Sequence, residues 1–269
     1  MRKLRVLDLF SGIGGFSLGL ERTGGFETVA FCEIEPFPRR VLANHWPEVP
    51  IYHDVRELTA ERLAADGIAV DVICGGFPCQ DLSLAGKRAG IDGARSGLWA
   101  EITRLVRDLR PRYLIVENVA NLLAGPTERP GQWFGRVLGD LAALGYDAEW
   151  HSIPAAALGA NHIRDRVWLV ANPDEIGCWS WGDRLPHDLR QPHWKASQGQ
   201  RQWKDVECWL RADFQDCYGT ATASDLERVD EWFPDRVDRC AALGNAVVPQ
   251  IPEMIGRAIL AAEATEAPK

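Results

Sequence analysis

The chain has no run of about 18 apolar residues, the length a helix needs to cross a bilayer, so no membrane association is expected. Its opening stretch MRKLRVLDLF meets Asp8 before a signal-peptide core could form, which points to a cytoplasmic protein. There is no Cys-x-x-Cys pair. The seven cysteines (Cys32, Cys74, Cys79, Cys178, Cys208, Cys217 and Cys240) are odd in number and irregularly spaced. They do not describe a disulfide framework, and a reducing compartment suits them better. Cys178, Cys208, Cys217 and a nearby histidine have none of the spacings of a zinc finger, so no metal is expected. Net positive charge is also lacking, since 38 acids against 30 bases leave −8. An anionic polymer must therefore meet a local basic patch, not the molecule as a whole.

What is present is the material of a core. Of 269 residues, 46% are hydrophobic and 25% charged, the balance of a soluble globular chain and not of a disordered one. That length suits one large domain or one domain carrying a smaller insert. Short apolar runs at 4–10, 28–32, 51–53, 70–74, 113–116 and 167–171 alternate with helical patterns at 16–22, 36–44, 60–66, 98–109 and 133–144. Gly145 is a suitable end for the last of these. The alternation predicts an α/β fold, a doubly wound and mostly parallel sheet. Past Asn172-Pro173 the texture turns to Trp, Gln, His, Pro and Arg, and no pattern is sustained until about residue 235. Apolar periodicity then resumes, with a predicted helix over 249–262 that places Ile251, Met254, Ile255, Ala258 and Ile259 on one face.

Ligands of open α/β sheets bind beyond the carboxyl ends of the strands. Five predicted strands deliver polar residues there: Asp8 with the turn Ser11-Gly12-Ile13-Gly14-Gly15, then Glu33, Asp54, Gly75-Gly76-Phe77-Pro78-Cys79-Gln80 and Glu117-Asn118. Ser17 stands where a dinucleotide fingerprint wants its third glycine, which weakens a nicotinamide reading. The turn still permits close backbone approach, Glu33 suits a ribose diol, and Asp54 suits an exocyclic amine or an ammonium group. Taken singly, each acid reads equally well as a helix cap or a solvated side chain. A free cysteine is most often a small buried hydrophobe. Cys79 differs because two glycines and a proline fix its turn at a strand end, where a thiolate can be stabilised. Partial burial of Glu117 on the adjacent strand would let it carry a proton near neutral pH. Thiolate and proton-bearing carboxyl together suit attack on a ring carbon while a ring nitrogen is protonated.

These residues fall into an ordered series: Asp8-Leu-Phe-Ser-Gly-Ile-Gly-Gly-Phe16, Gly75-Gly-Phe-Pro-Cys-Gln-Asp-Leu-Ser83, Glu117-Asn-Val119, Arg164-Asp-Arg-Val167 and Leu243-Gly-Asn-Ala-Val-Val-Pro249. The series resembles the DNA (cytosine-5)-methyltransferases that use S-adenosylmethionine, with a compact layout similar to phage or prophage members. The resemblance implies a Rossmann-like catalytic domain over 1–171, an irregular target-recognition region over 172–236 and a segment over 237–269 that returns to the catalytic domain. It implies Cys79 as the nucleophile at carbon 6 of a flipped cytosine, Glu117 at N3 and the amino group, and Arg164 and Arg166 supporting the base and the glutamate. S-adenosylmethionine would be held by Phe10, Gly12, Ile13, Gly15, Glu33, Asp54, Pro78 and Asn245. Two departures stand out. His162 and Ile163 replace a common Gln and a basic residue, and the usual arginine-rich segment is not recognisable between Ala221 and Arg239.

The implied partner is duplex DNA, bound by a monomer, with any cognate restriction endonuclease acting separately. Phosphate contacts are expected from Ser83, Lys87, Arg88 and Arg95, and from a recognition stretch whose Arg184, Arg190, Lys195, Arg201 and Lys204 face only Asp188. Trp194, Trp203, His187, His193 and glutamines 191, 198, 200 and 202 add stacking surface and base-edge partners. A solvated loop with small tryptophan cores is the plainer alternative. Two other functions remain open: an RNA methyltransferase of the same fold, against which Gln80-Asp81-Leu82-Ser83 speaks, and a catalytically dead DNA-binding protein, against which the intact Cys79, Glu117, Arg164 and Arg166 speak.

Overall fold

The computed structural model describes residues 2–77, 97–124, 131–158, 164–173, 242 and 244–266. Seven strands form one sheet: β1 (Leu4–Leu9), β2 (Phe26–Cys32), β3 (Ile51–Tyr52), β4 (Val72–Gly75), β5 (Tyr113–Val119), β6 (Tyr146–Pro154) and β7 (Asp165–Pro173). Their order is β3-β2-β1-β4-β5-β7-β6. The pairs β1/β2, β1/β4, β2/β3 and β4/β5 are parallel, whereas β7 runs antiparallel to both β5 and β6. Strand order reverses at β1, which opens a crevice beyond its carboxyl end between β2 and β4.

The central strands are apolar on both sides because helices cover both faces. Leu7, Leu9, Ile73, Leu114 and Val116 point to a face closed by α3 (Ala60–Ala65), α4 (Leu98–Leu109) and α6 (Gln132–Ala143). Val6, Val72, Cys74, Ile115 and Trp168 point to the other, closed by α1 (Gly15–Arg22) and the late helix α7 (Gln250–Glu266). Two further helices are α2 (Pro36–His45) and the single turn α5 (Asn121–Ala124). Among the described residues no helix is long and apolar enough to cross a membrane.

Helix α7 reaches α1 across glycines. A side chain on Gly15 would meet the Val247 carbonyl at 2.5 Å, one on Gly19 would meet the Pro249 carbonyl, and Gly256 lies against Leu20, Thr23 and Phe26. At the far end Glu263 accepts a hydrogen bond from the Tyr113 hydroxyl (2.6 Å) and pairs with Arg112 (2.9 Å). Helix α7 runs four residues past the expected 262.

The sequence pattern also missed a whole strand, β6. It is an outer strand of the sheet, so among the described residues only one of its edges is paired. Its residues Asp147, Glu149, His151 and Ser152 lack the apolar run that marks the inner strands. Trp150 instead packs edge-on against Phe134 of α6, ring centres 4.9 Å apart.

Candidate active site

The glycine turn at the end of β1 is shaped by left-handed backbone. Phe10 (φ 53), Gly12 (φ 53) and Gly14 (φ 87) all lie in that region. Gly14 has a second constraint, because a side chain there would run into the Trp46 ring at 2.6 Å. Above Gly12 no atom of the described residues beyond its chain neighbours comes within 4 Å of where a Cβ would stand. The Gly12 amide donates to Glu33 Oε2 (2.7 Å) and the Glu35 amide to Glu33 Oε1 (2.8 Å). Burial raises the Glu33 pKa, and these amides pull it back. A carboxylate backing an open glycine turn is suited to vicinal hydroxyls. The next residue, Ile34, is 54% exposed and offers apolar surface beside it; sequence reasoning passed over it because a lone aliphatic carries no motif.

Asp8 does not share this edge. Expected as one of the crevice acids, it is fully buried under α1. Gly14 gives that helix no capping side chain. Asp8 Oδ2 accepts from the Ser17 hydroxyl (2.7 Å), so a carboxyl from β1 serves the first turn of α1 through space. Among the described residues its other oxygen has no nitrogen or oxygen partner, and the Cys74 thiol lies against the carboxyl. Desolvation pushes its pKa up to about 7, opposed by the Ser17 hydrogen bonds. Across the parallel ladder it faces Cys74, whose own pKa is raised well above the ordinary value by burial and by Asp8.

Asp54 sits after the two-residue β3 in a turn its own side chain stabilises. Its carboxylate takes the Arg56 amide (3.0 Å) and the Arg56 guanidinium (2.6 Å), and the arginine lowers its pKa. Ile13 and Gly15 are buried, Phe10 is half-buried, and Asn245 is exposed on the segment between Gly244 and Val247. That segment lies beside the start of α1 through the Val247 carbonyl.

Two strands away the chemistry changes. Glu117 Oε1 pairs with Arg166 Nε at 2.9 Å, the side chains being 12% and 24% exposed. The antiparallel register sets Glu117 opposite Trp168 and Val119 opposite Arg166, so the guanidinium reaches the carboxylate along the diagonal. Burial raises the Glu117 pKa, and Arg166 and Arg164 counter it. Arg164, in left-handed backbone (φ 31), donates to the Gly244 carbonyl and so ties β7 to the segment before α7. Burial lowers the pKa of Arg164.

Gly76 makes room for the acid, since a Cβ there would stand 2.9 Å from Glu117 Oε2. Gly75 in turn lets β4 close on β1, whose Leu9 carbonyl a Cβ would meet at 2.5 Å. Asn118 is buried on the opposite face of β5 and its amide donates to the Phe77 carbonyl (3.2 Å). Sequence reading gave Asn118 no role; it holds the stem two residues before Cys79. Trp99 of α4 packs on Phe77 (ring centres 5.6 Å) and its indole donates to Asp140 of α6 (3.0 Å).

The structure thus brings Glu117, Arg164 and Arg166 together and sets Gly12 and Glu33 against each other. Pro78, Cys79, Ser83, Lys87, Arg88, Arg95, Arg190, Lys195, Arg201 and Lys204, with His162 and Ile163, lie outside the described residues. Among the described residues no cluster of three or more His, Cys, Asp or Glu suits a metal ion.

Residues 4–204 match the family model of the C-5 cytosine-specific DNA methylases. The type II methyltransferase M2.BsuMI of Bacillus subtilis is 36% identical over 173 residues, 63% of this chain and 42% of that protein. M.Sau3AI of Staphylococcus aureus is 35% identical over 210 residues, 70% of this chain and 48% of that one. The chain therefore spans less than half the length of these relatives. A solved E. coli structure described as a prophage-encoded DNA modification methyltransferase superposes with a TM-score of 0.63 over 97% of this chain and 100% of its own, at 19% identity. The methyltransferase EhMeth of Entamoeba histolytica gives 0.63 at 13% identity, over 97% and 99%. At such identity the two structures speak for the fold alone.

Proposed function

Because the chain belongs to the C-5 cytosine-specific DNA methylase family, we propose that it transfers a methyl group from S-adenosylmethionine to carbon 5 of a cytosine in a specific duplex DNA sequence. One observation carries the reading: Glu117, gripped by Arg166, stands in the space left by Gly76, three residues before Cys79, toward the same carboxyl edge of the parallel strands as the Gly12–Glu33 contact.

The residues at the glycine turn fit the methyl donor. Glu33 would accept from the ribose hydroxyls, the open face of Gly12 would admit the backbone approach, Ile34 would cover an adenine face and Asp54 would take its amino group. Phe10, Ile13, Gly15, Pro78 and Asn245 complete the proposed binding set. When bound, S-adenosylmethionine supplies a methyl group on a sulfonium, toward which an activated carbon 5 is the nucleophile.

Cytosine C5 is too weak a nucleophile unaided. The Cys79 thiolate adds to C6, the sulfur lone pair becoming the S–C6 bond, while Glu117 gives its proton to N3 so that the displaced ring electrons leave C5 enamine-like. Burial favours the protonated Glu117 this requires, and Arg166 and Arg164 hold its conjugate base when the proton has gone. After transfer, loss of the C5 proton to a base restores the C5–C6 double bond, expels the thiolate and returns the N3 proton to Glu117. The target atom is stacked inside the duplex, so the base is extruded into the crevice at a cost of a few kcal/mol. Phosphate contacts are assigned to Ser83, Lys87, Arg88 and Arg95 and to Arg190, Lys195, Arg201 and Lys204, the charge that offsets an acidic molecule. The reading extends to a monomer, with any cognate restriction endonuclease acting separately.

Bisulfite sequencing of DNA from a host expressing the protein locates the modified site. Duplex DNA with 5-fluorocytosine at that position, incubated with protein and S-adenosylmethionine, is expected to give a covalent adduct on a denaturing gel that Cys79→Ser abolishes. An adduct unchanged in that variant removes the nucleophile assignment; no modified cytosine at all removes the activity.

A further inference from the structure

We propose that Arg104 of α4 is a positioning residue for the methyl-donor end of the site: it fixes the turn that carries Asp54 without touching the donor. The inference rests on the donor site assigned above.

The turn needs an external anchor. Strand β3, which delivers it, is two residues long and, among the described residues, runs in register with Phe31 and Cys32 of β2, with the Glu33 amide donating to the Tyr52 carbonyl. Beyond it the chain makes one turn, the Asp54 carbonyl accepting from the amides of Glu57 (3.1 Å) and Leu58 (3.2 Å), and then moves on to α3. The start of this turn is held by its own sequence through the Asp54 carboxylate and the Arg56 amide. Its end is not. The carbonyls of Val55 and Leu58, whose side chains are buried in the core, are both taken by Arg104 Nη2 at 2.9 Å.

A guanidinium suits this task. Its Nη2 carries two N–H groups, one for each carbonyl, and the Nε–H donates to Glu101 Oε2 (2.8 Å), which fixes the plane of the fork. Glu101 lies one turn back on the same helix, so the fork is set by α4 and not by the turn it grips. Helix α4 is anchored independently by Trp99, Ile102, Leu105 and Val106 in the core and by the Trp99–Asp140 hydrogen bond. The same helix touches Phe77 through Trp99, two residues before Cys79. One rigid helix therefore sets both the turn bearing Asp54 and the stem of the nucleophile.

The consequence is a split in kinetics. Loss of Arg104 frees the turn, so the donor is held less well while the chemistry of donor once bound is preserved. Arg104→Met, which keeps the aliphatic stem, is expected to raise KM for S-adenosylmethionine by about tenfold with kcat at saturation within about threefold. DNA affinity measured without donor stays as in the parent. Arg104→Lys, which can serve one carbonyl but not the fixed pair, is expected in between. In an Asp54→Ala background Arg104→Met should add nothing further, because the residue acts through that carboxylate. Three results overturn the proposal: an unchanged KM, an equal loss of kcat and DNA binding with KM, or a full Arg104 effect in the Asp54→Ala background. If Asp54→Ala alone leaves KM unmoved, the donor-site reading fails first and takes the proposal with it. Should Arg104→Met not fold, Arg104→Lys and the milder Glu101→Gln carry the same test.

Discussion

Three of the most deeply buried carboxylates, Glu33 and Asp8 in the parallel half of the sheet and Glu117 at its antiparallel border, are satisfied in different ways. On the parallel side Glu33 is met by two backbone amides and Asp8 by a hydroxyl. On the antiparallel side Glu117 is met by the guanidinium of Arg166, with Arg164 close behind. The cause is strand direction. Parallel strands converge on turns and helix starts, where N–H groups are free to bind a ligand or an acid. Strand β7 enters from the other direction and brings Arg166, with Arg164 just ahead of the strand, to the same edge. Under the proposed function, the amides that meet Glu33 serve to hold the donor and the cation paired with Glu117 serves to govern a proton.

The contrast breaks most completely at Glu117. Glu117→Gln keeps the shape, has no proton to give and is expected to lower kcat by about 10²–10⁴ with donor binding intact, read by single-turnover methylation and donor titration. A loss confined to donor binding would erase the division of labour.

Asp8→Asn tests the buried acid next. Its folded pKa of about 7 exceeds its ordinary 3.8, so between those values the native state keeps a proton that the unfolded chain has released. Stability then falls as pH rises from about 4 to 7, by on the order of 4 kcal/mol, and stays low above that. Asn keeps an acceptor for Ser17 and has nothing to ionise. The gap in melting temperature between variant and parent should therefore shift in the variant's favour from pH 5 to pH 8; a constant gap contradicts the assignment.

Arg166→Met sharpens the catalytic side. Arg166 lowers the Glu117 pKa, so its loss raises it further. If protonated Glu117 is the active form, the alkaline limb of the kcat profile moves to higher pH, by about one unit or more for a close ion pair, and a limb that stays put or moves down opposes that role.

Smallest is Glu33→Gln. Its amides Gly12 and Glu35 still find one oxygen, and a rise of about three- to tenfold in KM for S-adenosylmethionine with kcat steady is expected from loss of uniform binding. A kcat effect larger than the KM effect would move Glu33 to the chemical side.

The sequence made some of this legible and hid the rest for physical reasons. Helix α4 follows its apolar spacing, Trp99, Ile102, Leu105 and Val106, to both expected ends. The inner strands announce themselves because both faces are buried. Outer strand β6 does not, since half its surface faces water, its large residues Tyr146, Trp150 and Ile153 form no run, and Trp150 finds its neighbour only in three dimensions. The end of β1 shows the same limit at finer scale. Asp8 and the glycine turn are adjacent in sequence, yet the pleat sends Asp8 under α1, so the acid that looked like a ligand group caps a helix. Arg166 was named by resemblance to known motifs; no local pattern says that β7 runs antiparallel and lays it diagonally across Glu117. Arg104 was invisible because its two acceptors are main-chain carbonyls more than forty residues away.

The seating of α7 on the glycines of α1 has a consequence for biosynthesis. Phe16, Leu20 and Phe26 emerge from the ribosome early, yet Ile251, Ile255 and Ile259, which share their cluster, are made more than two hundred residues later. During translation one side of the nascent sheet stays uncovered, a sticky interval in which chaperones are useful, and a product cut short ahead of residue 250 would carry that greasy surface permanently and be prone to aggregate.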